Sequence, residues 1–173
     1  RGRGAAGAIG GIAAAGGDAP TGAGGGVSND DTLMRIALVE ARAAAGEGNR
    51  PFGAVIVRGG QIVGQGHNLV ESENDATAHG EVVAIRAACR ALDTASLEGA
   101  TLYTTCEPCL MCTGALIAAK VERVVIGASW VDAPDYFKHP EKGSLLGMAQ
   151  HLTYPFEYTA GVLRDECVKL YGG

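Results

Sequence analysis

Two short motifs, far apart in the chain, constrain the fold of this protein more than any other feature. The first is His79-Gly80-Glu81 and the second is Pro108-Cys109-Leu110-Met111-Cys112. Each lies where a strand or loop is predicted to lead into a helix, and proline suits the first turn of a helix. Cysteines three residues apart on a helix direct both sulfurs to the same side. A fold that brings the two helix starts together would let one imidazole and two thiolates converge on one point.

This set of donors suits zinc, which prefers imidazole and thiolate ligands in a tetrahedral arrangement. Three protein ligands leave a fourth position open, and zinc lowers the pKa of a water held there to about 7. Glu81 follows His79 by two residues. We expect its carboxylate to lie beside that water, where it can take a proton and deliver it to a substrate nitrogen.

The cysteines also allow other interpretations. A Cys-x-x-Cys pair on its own is as typical of redox chemistry as of a metal site. Cys106 extends the pattern to one that resembles iron–sulfur ligation, but no fourth cysteine is suitably close. Cys106 could instead complete a closed structural zinc site, but it should lie at a strand end, before the helix begins. We expect Cys106 to be a packed thiol at the end of a strand. The other cysteines are predicted to be buried in helices and the remaining histidines to lie on the surface or in loops: Cys89, Cys167, His67, His139 and His151.

Hydrophobic periodicity predicts an α/β fold. A capped helix runs from residues 28–30 to Gly46, and a hairpin with a Gly59-Gly60 turn follows. Helices, strands and a closing unit are then predicted at 80–92 (helix), 101–105 (strand), 109–120 (helix), 121–127 (strand) and 156–171 (strand and helix). This order implies a mixed sheet covered by helices on both sides.

Composition divides the chain into two parts. Residues 1–27 are mostly glycine and alanine and have little to bury, so we expect a disordered arm or leader, with a twin-arginine export signal as the alternative. The net charge of the whole chain is −5, and because the arm carries +1, the predicted folded domain, 28–173, carries −6. No apolar run is long enough to span a bilayer. An acidic domain is also not typical of a general nucleic-acid binder.

Several further segments support a family resemblance. Together with the two motifs, PFGAVIV (51–57), DATAHGE (75–81), LYTTCEPCLMCTGAL (102–116) and GVLRDEC (161–167) resemble the zinc-dependent cytidine and deoxycytidylate deaminase superfamily. The resemblance implies a three-layer α/β/α sandwich with a mixed five-stranded sheet. It also implies one zinc ion per chain held by His79, Cys109 and Cys112, with Glu81 as the proton shuttle, and a homodimer.

The resemblance extends to the substrate pocket. Asn68 matches a position that hydrogen-bonds the base or sugar in similar enzymes, although a turn residue after the hairpin is the alternative. Glu107 is implied as a contact through its backbone, and Phe52 and Ala78 complete the predicted set. The loop that carries Trp130 supplies either an aromatic lid over the substrate ring or a dimer contact.

The implied reaction is hydrolytic deamination, in which an amino group on a nitrogen ring becomes a carbonyl and ammonia is released. The acidic charge favours a small guanine-type or cytosine-type nucleobase or nucleoside as substrate. A tRNA adenosine deaminase is the alternative, since GVLRDEC and Gly143-Ser144-Leu145 resemble those enzymes. A non-catalytic, zinc-stabilised partner subunit is a third hypothesis. Thiolate ligands favour a reducing compartment, so we expect the cytoplasm.

Overall fold

The structure is a computed structural model that describes residues 29–133, 135–137, 144–146 and 156–172. The predicted arm at 1–27 lies outside the described residues, as do His139 and His151. Among the described residues, no helix is long and apolar enough to cross a membrane.

Five strands form one mixed sheet in the order β2-β1-β3-β4-β5. The outer hairpin strand β2 and strand β3 both run antiparallel to β1, whereas β3, β4 and β5 run parallel to one another. The strands are β1 (Gly53–Arg58), β2 (Gln61–His67), β3 (Ala100–Cys106), β4 (Arg123–Ala128) and β5 (Glu157–Ala160). The parallel half therefore carries the carboxyl ends of β3 and β4 to one edge, where Cys106 leads into the second motif.

Helices cover both faces of this sheet. The helices are α1 (Asn29–Gly46), α2 (Val70–Glu73), α3 (Gly80–Ala91), α4 (Leu110–Ala118) and α5 (Arg164–Val168), with short 3-10 turns at Trp130–Asp132 and Lys169–Tyr171. Ala84 and Ile85 of α3 and Leu116 of α4 share one buried cluster with the sheet, and Met34 of α1 and Cys167 of α5 share the other. The three-layer α/β/α sandwich is thereby confirmed.

Glycines fix two features of the hairpin side of the sheet. Gly59 and Gly60 both have positive φ, 58° and 78°, which a tight two-residue hairpin turn requires. At Gly66, a Cβ atom would lie 2.5 Å from the backbone nitrogen of Ala84. Only glycine therefore lets α3 approach β2 this closely, and this approach holds the first turn of α3 against the end of the hairpin.

The element boundaries differ from the predicted ones by a few residues, and one histidine was assigned wrongly. His67 is not an isolated surface residue: it ends β2 and its Nδ1 lies 2.7 Å from Glu40 Oε2. Its Nε2 lies 3.1 Å from Glu47 Oε2. The pairing joins the sheet edge to α1 and to the segment that follows it, which sequence periodicity could not indicate because the partners come from separate elements.

Candidate active site

Three donor atoms from two helix starts meet at the edge of the sheet. His79 immediately precedes α3 and Cys109 immediately precedes α4, each as the N-cap residue, and Cys112 lies in the first turn of α4. His79 Nδ1 is 3.7 Å from Cys109 Sγ and 3.6 Å from Cys112 Sγ. The two sulfurs are 3.6 Å apart. The donors form a nearly equilateral triangle, as the spacing of the two motifs predicted.

The triangle has the dimensions of a zinc site. With Zn–S bonds of about 2.3 Å and a Zn–N bond of about 2.0–2.1 Å, tetrahedral angles separate two sulfurs by about 3.8 Å and sulfur from nitrogen by about 3.6 Å. The observed separations of 3.6–3.7 Å match both values. Among the described residues, this is the group of His, Cys, Asp and Glu side chains that could hold a metal ion.

The pKa values of the two thiols are shifted in opposite directions. Its hydrogen bond with Cys112, together with one to His79, lowers the pKa of Cys109 to about 4. The same bond and burial raise the pKa of Cys112. A hydrogen bond to Cys109 raises the pKa of His79. A bound divalent metal would change the protonation of these three groups, since both cysteines bind metals as thiolates and the imidazole binds as the neutral ring. The positive ends of two helix dipoles favour that extra negative charge.

Glu81 lies directly beside the donor triangle. Its side chain points into the protein from the first turn of α3 and is only 6% exposed. Oε2 accepts a hydrogen bond from the Cys112 thiol at 3.5 Å, and Oε1 accepts one from Thr104 Oγ1 at 3.5 Å. Burial raises the pKa of this carboxyl. A carboxyl whose pKa is raised in this way is suited to exchanging protons near neutral pH.

The donor triangle and Glu81 are called the floor of the site here, and His79, Glu81 and Cys109 of this floor line a cavity of about 190 Å³. This volume is below the range of about 300–1,000 Å³ typical of pockets for drug-sized ligands, so the cavity suits a single flat ring system. The cavity wall is mostly apolar and includes three aromatic rings, and its described lining comprises Arg50, Phe52, His79, Glu81, Cys106, Glu107, Cys109, Trp130 and Phe137.

The aromatic part of the wall is a connected cluster. Trp130 and Phe137 stack with their centroids 5.2 Å apart and their planes at 2°. Phe52 continues the cluster at 6.2 Å from Phe137, and Tyr171 packs on Phe52 at 5.6 Å. Trp130 therefore lies at the cavity, and the two roles predicted for its loop, an aromatic lid over the substrate ring or a dimer contact, stay predictions.

Glu107 anchors two loops to the cavity. Its carboxylate accepts hydrogen bonds from the backbone nitrogen of Trp130 at 3.0 Å and of Leu146 at 2.6 Å. Its backbone oxygen accepts a further bond from Trp130 Nε1 at 2.9 Å. The residue is 4% exposed, so these bonds satisfy a buried charge. Trp130 is thereby held both at its backbone nitrogen and at its indole Nε1.

The structure does not bring every predicted substrate contact to the cavity. Among the described residues, the lining includes Phe52, Glu107 and Trp130 but neither Asn68 nor Ala78. Both are buried; Asn68 Oδ1 accepts a bond from Val70 N at 3.2 Å, and the Ala78 carbonyl accepts one from Leu69 N at 2.9 Å. These bonds stabilise the turn after the hairpin. The roles of all five residues in substrate binding remain predictions.

Sequence reasoning missed two groups at the site. Arg50 lines the cavity mouth, and its position directly before the PFGAVIV segment was the available signal. Thr104 contacts Glu81 from β3, and nothing in its pattern distinguishes it from other strand threonines. Cys106 is a buried thiol at the end of β3, outside the donor triangle, as predicted.

The fold and the donor triangle are of the type found in zinc-dependent deaminases. Comparison with known proteins gives the same class. Residues 27–128 match the family model for the cytidine and deoxycytidylate deaminase zinc-binding region. The chain belongs to this family. It is accordingly a zinc-containing hydrolase acting on C–N bonds of cyclic amidines, as the resemblance implied.

Two kinds of relative bear on the substrate. The chain is 42% identical over 143 residues to a tRNA-specific adenosine deaminase of Bacillus subtilis, covering 82% of this chain and 85% of that protein. It is 44% identical over 108 residues to a guanine deaminase of the same organism, covering 62% and 69%.

The same two kinds occur among the solved structures that the chain resembles. A chain from a study of A-to-I editing by tRNA:A34 deaminases matches with a TM-score of 0.68 and 33% identity, over 80% of this chain and 98% of that one. A guanine deaminase from Nitrosomonas europaea matches with a TM-score of 0.73 and 27% identity, over 82% and 81%.

Proposed function

We propose that this protein hydrolytically deaminates adenosine in tRNA, converting it to inosine. The observation that carries the proposal is the 42% identity to a tRNA-specific adenosine deaminase along most of both chains. The acidic net charge favoured a small substrate instead, but net charge does not describe the surface around the cavity mouth. This substrate class was the alternative interpretation of the sequence and becomes the first choice.

The chemistry assigned to the floor follows from its residues. His79, Cys109 and Cys112 would hold the zinc ion, because their spacing and donor types fit it. A zinc ion with three protein ligands supplies a water-derived nucleophile at neutral pH. Glu81 would move two protons: it would take one from the attacking water and give it to the ring nitrogen next to the amino-bearing carbon. It would then take the proton of the added hydroxyl and give it to the departing amine, so that a carbonyl and ammonia form. Its burial and the Thr104 hydroxyl hold the carboxyl beside the donor triangle.

The cavity would accept only the reacting base. Its volume of about 190 Å³ suits one ring system, so the sugar and phosphates of an RNA substrate must lie at the mouth. Phe52, Trp130 and Phe137 provide apolar surface against which the ring can pack, and they exclude water from the reacting face. A base reaches such a site only when it is unstacked from its neighbours.

The deciding experiment measures ammonia release by the zinc-loaded protein and by its Glu81→Ala form. The substrates are an anticodon stem-loop with adenosine at the target position, free adenine, adenosine, guanine, guanosine, cytosine and cytidine. Turnover of the stem-loop that Glu81→Ala abolishes, with inosine as the product, is the expected result. A protein that retains zinc and releases no ammonia from the stem-loop would refute the proposal. A protein that releases no ammonia from any of these substrates would favour the non-catalytic subunit.

A second candidate is a guanine deaminase. The guanine deaminase of Nitrosomonas europaea matches the fold with a TM-score of 0.73, and a cavity for one ring system suits a free base. Turnover of guanine without turnover of the stem-loop would favour this candidate. The same panel therefore separates the two functions.

We also propose that the chain is a homodimer that buries the outer face of α4. Leu110, Met111 and Ile117 are 47%, 37% and 41% exposed on this helix, which carries no charged residue. Light scattering should give a dimer mass for the wild type and a monomer mass for Ile117→Glu. Val39→Glu, at a 60% exposed position on α1, is the matched control and should remain dimeric. A dimeric Ile117→Glu variant would exclude this face.

A further inference from the structure

Arg50 is the cationic group at the mouth of the cavity. Among the described residues that line the cavity, it is the one lysine or arginine, and its neighbours there are aromatic rings and two buried carboxylates. Its side chain is 64% exposed. The position is unusual in a chain of net charge −5, because it puts a positive charge beside the opening through which a substrate must enter.

The backbone that carries Arg50 is held from both sides. Asn49 is buried and its side-chain oxygen accepts bonds from the backbone nitrogens of Glu71 and Ser72, at 3.1 and 3.0 Å. On the other side, the Arg50 carbonyl accepts a bond from Phe52 N at 2.8 Å, across Pro51, whose ring fixes φ. The Arg50 Cα is therefore fixed relative to the Phe52 ring in the cavity wall.

The guanidinium itself is weakly engaged. Its Nε lies 3.7 Å from Glu71 Oε1, and that glutamate side chain is 44% exposed. An exposed pair at this distance contributes little to stability. Most of the five N–H donors of the guanidinium remain accessible to a ligand, and they match the geometry of a phosphate group.

We infer that Arg50 binds a backbone phosphate of the RNA next to the base that occupies the cavity, and that it thereby selects RNA over a free base. The inference rests on the proposed tRNA deaminase function. An RNA substrate necessarily carries phosphates at the cavity mouth, whereas adenine or guanine has no anion to offer there. Arg50 then strengthens binding of the nucleic acid and contributes nothing to the deamination of a free base.

The test is direct binding of an anticodon stem-loop that carries inosine at the target position, so that no chemistry intervenes. Fluorescence anisotropy would give Kd at several salt concentrations between about 50 and 200 mM. Arg50→Gln removes the charge and Arg50→Lys keeps it without the planar fork. Arg90→Gln is the matched control, because Arg90 is exposed in the last turn of α3, about 15 Å along the helix from the metal site.

We expect Arg50→Gln to raise Kd about fivefold, as loss of one exposed ion pair would. It should also lower the slope of log Kd against log salt by about 0.7, the value for one phosphate of a single strand. Arg50→Lys should retain the wild-type slope, and Arg90→Gln should match the wild type in both quantities.

Two failures can be told apart. If the wild type edits the stem-loop but Arg50→Gln has the Kd and slope of Arg90→Gln, the inference is wrong and the proposed function stands. If the wild type neither binds nor edits the stem-loop, the proposed function is wrong and the inference falls with it. Zinc content and the far-ultraviolet circular dichroism spectrum of Arg50→Gln verify that the variant is folded.

Discussion

The floor of the cavity and its rim are built from different kinds of structure. The floor residues, His79, Glu81, Cys109 and Cys112, lie at the starts of two helices that pack on the central sheet. The rim residues lie outside the main helices and strands: Arg50 and Phe137 are in loops, and Trp130 begins a short 3-10 turn. The floor is thus positioned by secondary structure, whereas the rim depends on a few hydrogen bonds and ring contacts. We assign the deamination chemistry to the floor and the choice of substrate to the rim.

The largest expected effect tests the chemistry of the floor. Glu81→Gln keeps the shape of the side chain but cannot move a proton, so kcat should fall by about 10²–10⁴-fold, the contribution typical of general acid–base groups. Zinc content should be unchanged, because this carboxylate is not one of the three donors. Steady-state kinetics and metal analysis measure the two quantities.

Glu122→Gln is the control for that substitution, since Glu122 is exposed before β4 and does not line the cavity. It should retain wild-type kcat and zinc. Near-normal turnover by Glu81→Gln would mean that Glu81 does not carry the proton transfers, and the functional division between floor and rim would then be wrong.

A smaller effect tests the anchoring of the rim. Glu107→Ala leaves the backbone N–H groups of Trp130 and Leu146 without their acceptor, so the free energy of unfolding should fall by about 1–3 kcal/mol. KM should rise because the backbone nitrogen of Trp130 loses its anchor, although the indole keeps its bond to the Glu107 carbonyl. Zinc content should stay at the wild-type level. Urea unfolding and steady-state kinetics check both points. Loss of zinc in this variant would mean that the floor and the rim are not independent.

The smallest effect concerns His67, which joins β2 to Glu47 in the segment leading to Arg50. Burial lowers the pKa of His67, but hydrogen bonds to Glu40 and Glu47 outweigh it and raise the pKa overall. The folded protein therefore binds this proton more tightly than the unfolded chain. The resulting stability is fully present below about pH 6.5 and is lost as the pH rises through the folded-state pKa.

Urea unfolding at about pH 6 and about pH 8 should accordingly show a decrease in stability of up to about 1 kcal/mol with rising pH. His67→Gln should reduce that decrease. An identical pH dependence in wild type and variant would exclude His67 as its source.

The floor could be predicted from the sequence because each of its residues is tied to a local pattern. His79 and Cys109 precede apolar helical periods, and the three-residue spacing of the cysteines is itself geometric information. Periodicity predicted a mixed sheet but not the order of its strands, and the Gly59-Gly60 turn predicted the hairpin of β1 and β2.

The rim could not be predicted to the same degree, because its contacts join segments that are distant in sequence. Glu107 meets Leu146 39 residues later, and no periodicity indicates such a pairing. The side-chain oxygen of Asn68 accepts a bond from the backbone of Val70 two residues later, and its predicted contact with the substrate stays a prediction. Local hydrogen bonding of asparagine competes with ligand contacts in this way at many turns.

The two N-cap positions have a consequence for how the protein folds. Within the described part of the chain, neither His79 nor Cys109 caps its helix with a side-chain hydrogen bond, because both side chains point toward the donor triangle. An ion bound by this triangle would cross-link the first turns of α3 and α4, which are separated by a whole strand of the chain. Metal loading and the closing of these two helix ends would then be one cooperative event, so the local stability of the catalytic edge would depend on the zinc activity of its surroundings.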